Sequence, residues 1–103
     1  MTLGTTEVTI AQLLDDNSIK TSIFAKRSAG KQGMQTMKIY NNSGTATIYI
    51  ISSARLEGVT ELTALNEGIP IASYNFFAEN VVNPLLWRIV SSEAATDVRI
   101  DIR

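Results

Sequence analysis

Hydrophobic and polar residues alternate with period two in several short stretches of this chain. In Met34–Ser53, Met37 and Ile39 alternate with polar neighbours, and the alternation resumes after an Asn-Asn-Ser-Gly link. Such alternation is typical of a half-buried strand, and asparagine and glycine suit a tight turn. The stretch therefore predicts a β-hairpin in which Ile39 faces Ala46 across the turn.

A second hairpin is predicted at Leu85–Arg103, where two alternating segments flank a short loop. Its register sets Ile89 opposite Ile100 on the apolar side. The same register sets Arg88 opposite Asp101, a pairing of opposite charges that would help to fix the alignment of the two strands.

The rest of the chain contains further short strands separated by polar turns. Glu7–Leu14 also fits a helical turn, but we interpret it as a strand. The other expected strands are Ile19–Ala25, Val59–Leu65 and Ile69–Phe77. Because Pro70 cannot donate a ladder hydrogen bond, the last of these is an edge strand or starts at Pro70. The expected turns or loops are Asp15–Ser18, Lys26–Gly33 and Ser53–Gly58, and Ala78–Pro84 is expected to be irregular. About seven or eight short strands without a long helix predict one all-β domain over residues 1–103, an antiparallel β-sandwich or jelly roll.

Composition narrows the classes of function. The chain has 103 residues, 45% of them apolar, with nine basic and ten acidic side chains. A near-neutral chain has no basic field to attract nucleic acid, and no apolar run approaches the length that spans a bilayer. The start, MTLGTTEVTI, lacks the basic and apolar regions of a secretory signal, so we expect function without export.

The residue types limit the available chemistry. Histidine and cysteine are absent, which removes serine–histidine and cysteine–histidine nucleophiles and ordinary zinc sites. We interpret Asp15 and Asp16 as a solvated turn, because they lack the spacing of a calcium loop. Asp97 and Asp101 share an exposed face but carry no other sign of an acid–base pair. Lys31 lacks the flanking residues of a phosphate loop. We therefore expect no catalytic residue, metal or cofactor.

Two features favour contacts with protein partners. The loop Lys26–Gly33 brings together Lys26, Arg27 and Lys31, which could dock on an acidic surface. Consecutive strand residues point to opposite faces, so one ring of Phe76 and Phe77 must leave the core. The same doubling occurs at Val81-Val82 and Leu85-Leu86. These positions, with Leu86 among them, predict an apolar surface used in association, whereas Trp87 is expected in the core.

Three segments resemble small all-β virion proteins of tailed bacteriophages, a group that includes capsid decoration (cement) proteins and head or tail accessory proteins. The segments that carry the resemblance are Asn41–Ile50, NNSGTATIYI; Leu65–Ile71, LNEGIPI; and Leu86–Val90, LWRIV, followed by a short turn and Asp97–Ile100, DVRI. The chain differs at Ile51–Arg55, ISSAR, where similar proteins often carry glycines. Fold likeness alone does not determine function.

The resemblance implies a structural, non-enzymatic role. We expect an oligomeric decoration protein, a trimer by analogy, that binds the major capsid protein and copies of itself. It would be located in a virion that assembles in the host cytoplasm. The alternative is a sugar- or receptor-binding β-sandwich module of a phage tail or fibre.

Overall fold

The computed structural model describes residues 2–16, 34–52 and 64–103 and arranges their eight strands in two antiparallel four-stranded sheets. Sheet I has the strand order β1-β8-β3-β6, and sheet II has the order β2-β7-β4-β5. The strands are β1 (Thr2–Leu3), β2 (Val8–Thr9), β3 (Met34–Asn41), β4 (Ile48–Ile51), β5 (Ile69–Ile71), β6 (Phe76–Val82), β7 (Arg88–Ser91) and β8 (Thr96–Ile102). The helices are α1 (Ile10–Asp16), α2 (Ala64–Glu67) and a 3-10 helix at Pro84–Leu86.

The strand order is that of a jelly roll. Strands that follow one another along the chain lie in opposite sheets, except for β4 and β5, which pair within sheet II. Eight strands distributed in this way over two facing sheets form a double-sheet jelly roll. The expectation of an all-β sandwich of about eight strands is confirmed.

Both predicted hairpins are wrong in the same way. β3 pairs with β6 and β8, whereas β4 pairs with β5 and β7. β7 likewise lies in sheet II and β8 in sheet I. The two links therefore cross from one sheet to the other, so Ile89 pairs with Val8 and Ile50, and Ile39 pairs with Phe77 and Ile100.

The predicted inward faces are nevertheless correct. Met37, Ile39, Ile48 and Ile50 are fully buried in one core between the sheets. A hairpin places the alternate apolar side chains of its two strands side by side on one face of a sheet, and an arch places them opposite each other between two sheets. In both arrangements the same alternate side chains are buried. Ile100 is only partly buried, although it also packs against this core.

A buried polar residue stabilises the arch between β3 and β4, the first of the two links that cross between the sheets. Asn41, at the end of β3, is fully buried, and its Nδ2 donates to the carbonyl oxygens of Ala46 at 2.9 Å and Ile71 at 3.0 Å. Its Oδ1 accepts the backbone N–H of Ser43 at 3.1 Å. The side chain thus joins the end of β3 in sheet I to the link before β4 and to β5 in sheet II.

Helix α1 replaces the strand expected at Glu7–Leu14. Thr9 Oγ1 accepts the backbone N–H of Gln12 at 3.1 Å, and Gln12 Oε1 accepts the backbone N–H of Thr9 at 2.9 Å. This reciprocal pair is a capping box, which begins a helix. The helix buries Ile10, Leu13 and Leu14 in the core. Asp15 and Asp16 lie in this helix, so the turn expected there is also wrong.

Other boundaries also differ from the expected ones. Ala64 and Leu65 belong to α2, and the long strand Ile69–Phe77 is divided into β5 and β6 by a turn. β6 extends through most of the segment expected to be irregular. β5 pairs only with β4 among the described strands, which confirms the edge position near Pro70. The predictions for Ile19–Ala25, Lys26–Gly33, Ser53–Gly58 and most of Val59–Leu65 lie outside the described residues.

Trp87 closes one end of the core, as expected. It is 7% exposed, and its ring lies 5.8 Å from that of Phe77 at an interplanar angle of 46°. Its Nε1–H donates to the Val82 carbonyl oxygen at 3.3 Å. Asn83, which precedes Pro84, adopts a left-handed conformation (φ 51°), which asparagine tolerates.

Candidate functional site

The outward surfaces of the two sheets differ. Helix α2 packs on the outside of sheet II, where Ala64, Ile51 and Val90 form a small second cluster. Glu7 supports this packing, because one carboxylate oxygen accepts the Ala64 backbone N–H and the other lies 3.2 Å from Arg88 Nη1. The expected pairing of Arg88 with Asp101 is therefore wrong, since these residues lie in different sheets.

Sheet I presents outward side chains in rows that cross β6, β3 and β8. The backbone register places Phe76, Tyr40 and Arg99 in one row, and Ala78, Lys38 and Asp101 in the next. A third row contains Asn80, Thr36 and Arg103, in which Thr36 Oγ1 donates to Asn80 Oδ1 at 2.7 Å. We call these nine residues the outer face of sheet I.

The charges on this face are distributed unevenly. Asp101 Oδ2 accepts Arg103 Nε at 3.0 Å, although the residue directly opposite Asp101 on β3 is Lys38. Lys38 Nζ instead lies 4.9 Å from the centre of the Phe76 ring, a cation–π contact. Within the described part of the chain, neither Lys38 nor Arg99 has a carboxylate within ion-pair distance.

A shallow depression of about 260 Å³ lies in the same face. It is lined by Lys38, Tyr40, Arg99, Ile100 and Asp101. Two cations, one carboxylate and one phenol contribute side chains to the wall, whereas Ile100 packs its side chain against the core and borders the depression from β8. A few polar groups beside an aromatic ring can orient a small ligand.

Asp97 precedes Arg99 by two residues on the same strand, β8. The side chain of Asn42 donates to Asp97 Oδ2 at 2.7 Å, and this hydrogen bond lowers the pKa of the carboxyl below its ordinary value of 3.8. Four residues along a strand separate Asp97 from Asp101, which is about 13 Å. That distance exceeds the spacing of the carboxylate pair that a glycosidase uses.

The residues predicted to contact partners have different environments. Phe76 and Leu86 are exposed, at 59% and 57%, whereas Phe77 is buried against Trp87. Phe77 is therefore a core residue, and its contact with a partner stays a prediction. Lys26, Arg27 and Lys31 lie outside the described residues, so the docking role of their loop stays a prediction.

The sequence does not indicate the constellation of Lys38, Tyr40, Arg99 and Asp101. Alternation places these residues at the polar positions of their strands, which is where they lie. The adjacency of β3 and β8 could not be recognised, because each strand was assigned to a different hairpin partner.

Two further properties concern only the residues that the structure describes. They contain no helix of the length and apolarity needed to cross a membrane. Residues 2–16, 34–52 and 64–103 also contain no group of three or more acidic, histidine or cysteine side chains that could hold a metal ion.

Comparisons with known proteins add no relative. No protein-family model matches the chain, and no curated protein or solved structure matches it. The resemblance to phage virion proteins therefore rests on the sequence segments alone.

Proposed function

We propose that this chain is a structural, non-enzymatic protein of a tailed-phage virion, an oligomeric decoration protein that attaches to the capsid and stabilises it. The main support for association with partners is the exposed ring of Phe76, which lies in one row with Tyr40 and Arg99 on the outer face of sheet I. Aromatic residues and arginine are enriched in protein interfaces and at their hot spots.

Two more apolar side chains extend this surface. Val82 is 52% exposed at the other end of β6, and Leu86 follows in the 3-10 helix. A partner that covers the row at Phe76 and the end of β6 would remove these side chains from water, at about 25 cal/mol per Å² of apolar area. That burial would supply the attachment energy of a cement protein.

The jelly-roll topology supports the proposal by analogy only. Viral capsid domains are among the proteins that use this architecture, but so are lectin domains and cupins. The fold therefore gives a suitable scaffold, while the choice of a phage particle rests on the resemblance of the strand–turn segments.

Mass spectrometry of purified virions of the phage that encodes the chain would test the location. We expect the protein at a fixed ratio to the major capsid protein. Heads that are purified without tails should still contain it. Finding it only in the tail fraction would contradict a capsid role, and its absence from particles would contradict any virion role.

Self-association is tested on the isolated protein by light scattering after size exclusion, over a dilution series. We expect a closed oligomer, a trimer by analogy, and a shift towards the monomer for Phe76→Ser. Leu65→Ser is the matched control, because Leu65 is 58% exposed but lies in α2, outside sheet II. A strictly monomeric wild-type protein at high concentration would contradict self-association.

A second candidate function is a sugar- or receptor-binding module of a tail or fibre. One observation favours it, namely the depression between Lys38, Tyr40 and Arg99. A glycan array with the wild-type protein and Tyr40→Ala tests it, since saturable binding that the substitution removes would support a module. Equal signals for both proteins would contradict a sugar site in this depression.

A further inference from the structure

The depression on the outer face of sheet I contains two cations, Lys38 and Arg99, that form no ion pair with a described carboxylate, although the charge of Arg99 acts on Asp97 two residues away. Lys38 lies directly opposite Asp101, where an ion pair would be expected. Asp101 Oδ2 is engaged by Arg103 Nε at 3.0 Å, and Lys38 Nζ lies over the Phe76 ring. The ammonium group is thus positioned without being neutralised.

Arg99 supplies the second cation. It lies opposite Tyr40 on the neighbouring strand, and therefore diagonal to Lys38. Diagonal neighbours of this kind are about 7–8 Å apart across the sheet, which allows both flexible heads to converge on one anionic group. Tyr40 also lines the depression, and its phenol hydroxyl makes no hydrogen bond with another described residue.

The wall also contains an acceptor. Asp101 uses Oδ2 for Arg103, and its Oδ1 makes no hydrogen bond within the described part of the chain. A bare carboxylate, such as an acidic protein side chain, would gain from the two cations but would be repelled by Asp101. A ligand that carries both a carboxylate and hydroxyl groups can use the cations, the phenol and this acceptor together.

The size and the apolar part of the depression agree with one ring. Its volume of about 260 Å³ is slightly smaller than that of pockets for drug-sized ligands, about 300–1,000 Å³. The Tyr40 ring offers a surface on which the C–H face of a sugar can pack. One face of the Phe76 ring is occupied by Lys38, so Phe76 acts by positioning that cation.

We propose that this depression binds an acidic monosaccharide unit, a uronic or sialic acid. The carboxylate lies between Lys38 Nζ and the Arg99 guanidinium, and a ring hydroxyl donates to Asp101 Oδ1. This proposal rests on the second candidate function and names its ligand class. It uses Tyr40 and Arg99, which the proposed capsid role covers with a partner, so the two proposals compete for one surface and are tested separately, on the isolated protein and on virions.

The test is an NMR titration of the isolated, isotope-labelled protein at constant ionic strength, with sodium glucuronate, N-acetylneuraminate, glucose and sodium acetate as probes. We expect saturable shifts at Tyr40 and Arg99 for at least one acidic sugar, with a Kd of about 1–10 mM. Constant ionic strength is needed because salt screens exposed charges.

Substitutions separate the site from general electrostatic attraction. Lys38→Gln and Arg99→Gln should each weaken acidic-sugar binding about tenfold, as expected for loss of one charge-assisted hydrogen bond. Arg88→Gln is the control, because it removes the same charge from sheet II, outside the depression. Equal weakening by Arg88→Gln would overturn the assignment of the site.

Glucose, the neutral sugar, and acetate, the small carboxylate, show which part of the proposal is wrong if the expected binding is not observed. Acetate that binds as tightly as the acidic sugars would overturn the sugar class and indicate a carboxylate of a protein partner. Glucose that binds equally well would overturn the role of the cations while leaving a sugar-binding module intact. Absence of shifts with every sugar up to about 50 mM would overturn both the site and the second candidate function.

Discussion

Asn41→Ala is expected to destabilise the fold strongly, because this side chain joins the two sheets at the first arch. The amide is fully buried and makes three hydrogen bonds with backbone groups. Each buried polar group that loses its partner costs about 1–3 kcal/mol. The loss in the free energy of unfolding therefore depends on which of the three backbone groups keep another hydrogen bond.

One of the three backbone groups that bind the Asn41 side chain keeps another hydrogen bond after the substitution. The Ala46 carbonyl oxygen also accepts Ser73 Oγ at 3.2 Å, so it stays paired after the substitution. The Ile71 carbonyl oxygen and the Ser43 N–H lose the Asn41 side chain. We expect a loss of about 2–4 kcal/mol in the free energy of unfolding. In urea denaturation the midpoint should fall by more than about 1 M, with an unchanged slope.

The neighbouring asparagine provides the control. Asn42 donates to Asp97 Oδ2 at an exposed position, so Asn42→Ala should cost under about 1 kcal/mol. Asn41→Asp should destabilise at least as much as alanine at neutral pH, because a carboxylate would face two carbonyl oxygens. If Asn41→Ala and Asn42→Ala unfold at the same urea concentration, the amide does not hold the two sheets together.

Three further predictions follow from single positions. Gly68→Ala should destabilise by several kcal/mol on thermal melting, since a Cβ would lie 2.3 Å from the Ala64 carbonyl oxygen, whereas Gly4→Ala should have little effect because nothing lies within 4 Å. Ile48→Ala should cost about 2–5 kcal/mol, because Ile48 is fully buried; an unchanged denaturation midpoint would contradict its burial. Asn42→Ala should raise the pKa of Asp97 towards 3.8 in a carboxyl NMR titration. The small stability that the lowered pKa contributes is present above the ordinary value and is lost as the pH falls through the folded-state pKa.

Alternation predicted which side chains are buried but not which strands pair. Met37 and Ile39 stand at the apolar positions of an alternating stretch, and both are fully buried. A period of two reports the inward face of a strand and contains no information about its neighbour. The link at Asn41 contains turn-forming residues, and these serve equally well in an arch. Asn41 favours an arch over a hairpin at this link, because its side chain donates to the Ala46 carbonyl oxygen of the link and to the Ile71 carbonyl oxygen in sheet II.

A local signal for helix α1 was present in the sequence. Thr9 and Gln12 have the spacing of a capping box, and the apolar residues Ile10, Leu13 and Leu14 follow with helical period. The competing alternation of Val8 and Ile10 covers only two apolar positions. A reciprocal pair of hydrogen bonds at the start of a helix outweighs such a short strand pattern.

The outer face of sheet I could not be derived from alternation, because it is assembled from three strands that are distant in the chain. Tyr40, Phe76 and Arg99 become neighbours only through the pairing of β3 with both β6 and β8. Their separate strands each predict an outward position and nothing more. The error in strand pairing also changed the expected electrostatics, since Arg88 was assigned to Asp101. With Arg88 bound to Glu7 in sheet II and Asp101 bound to Arg103, Lys38 and Arg99 become the charges of the depression.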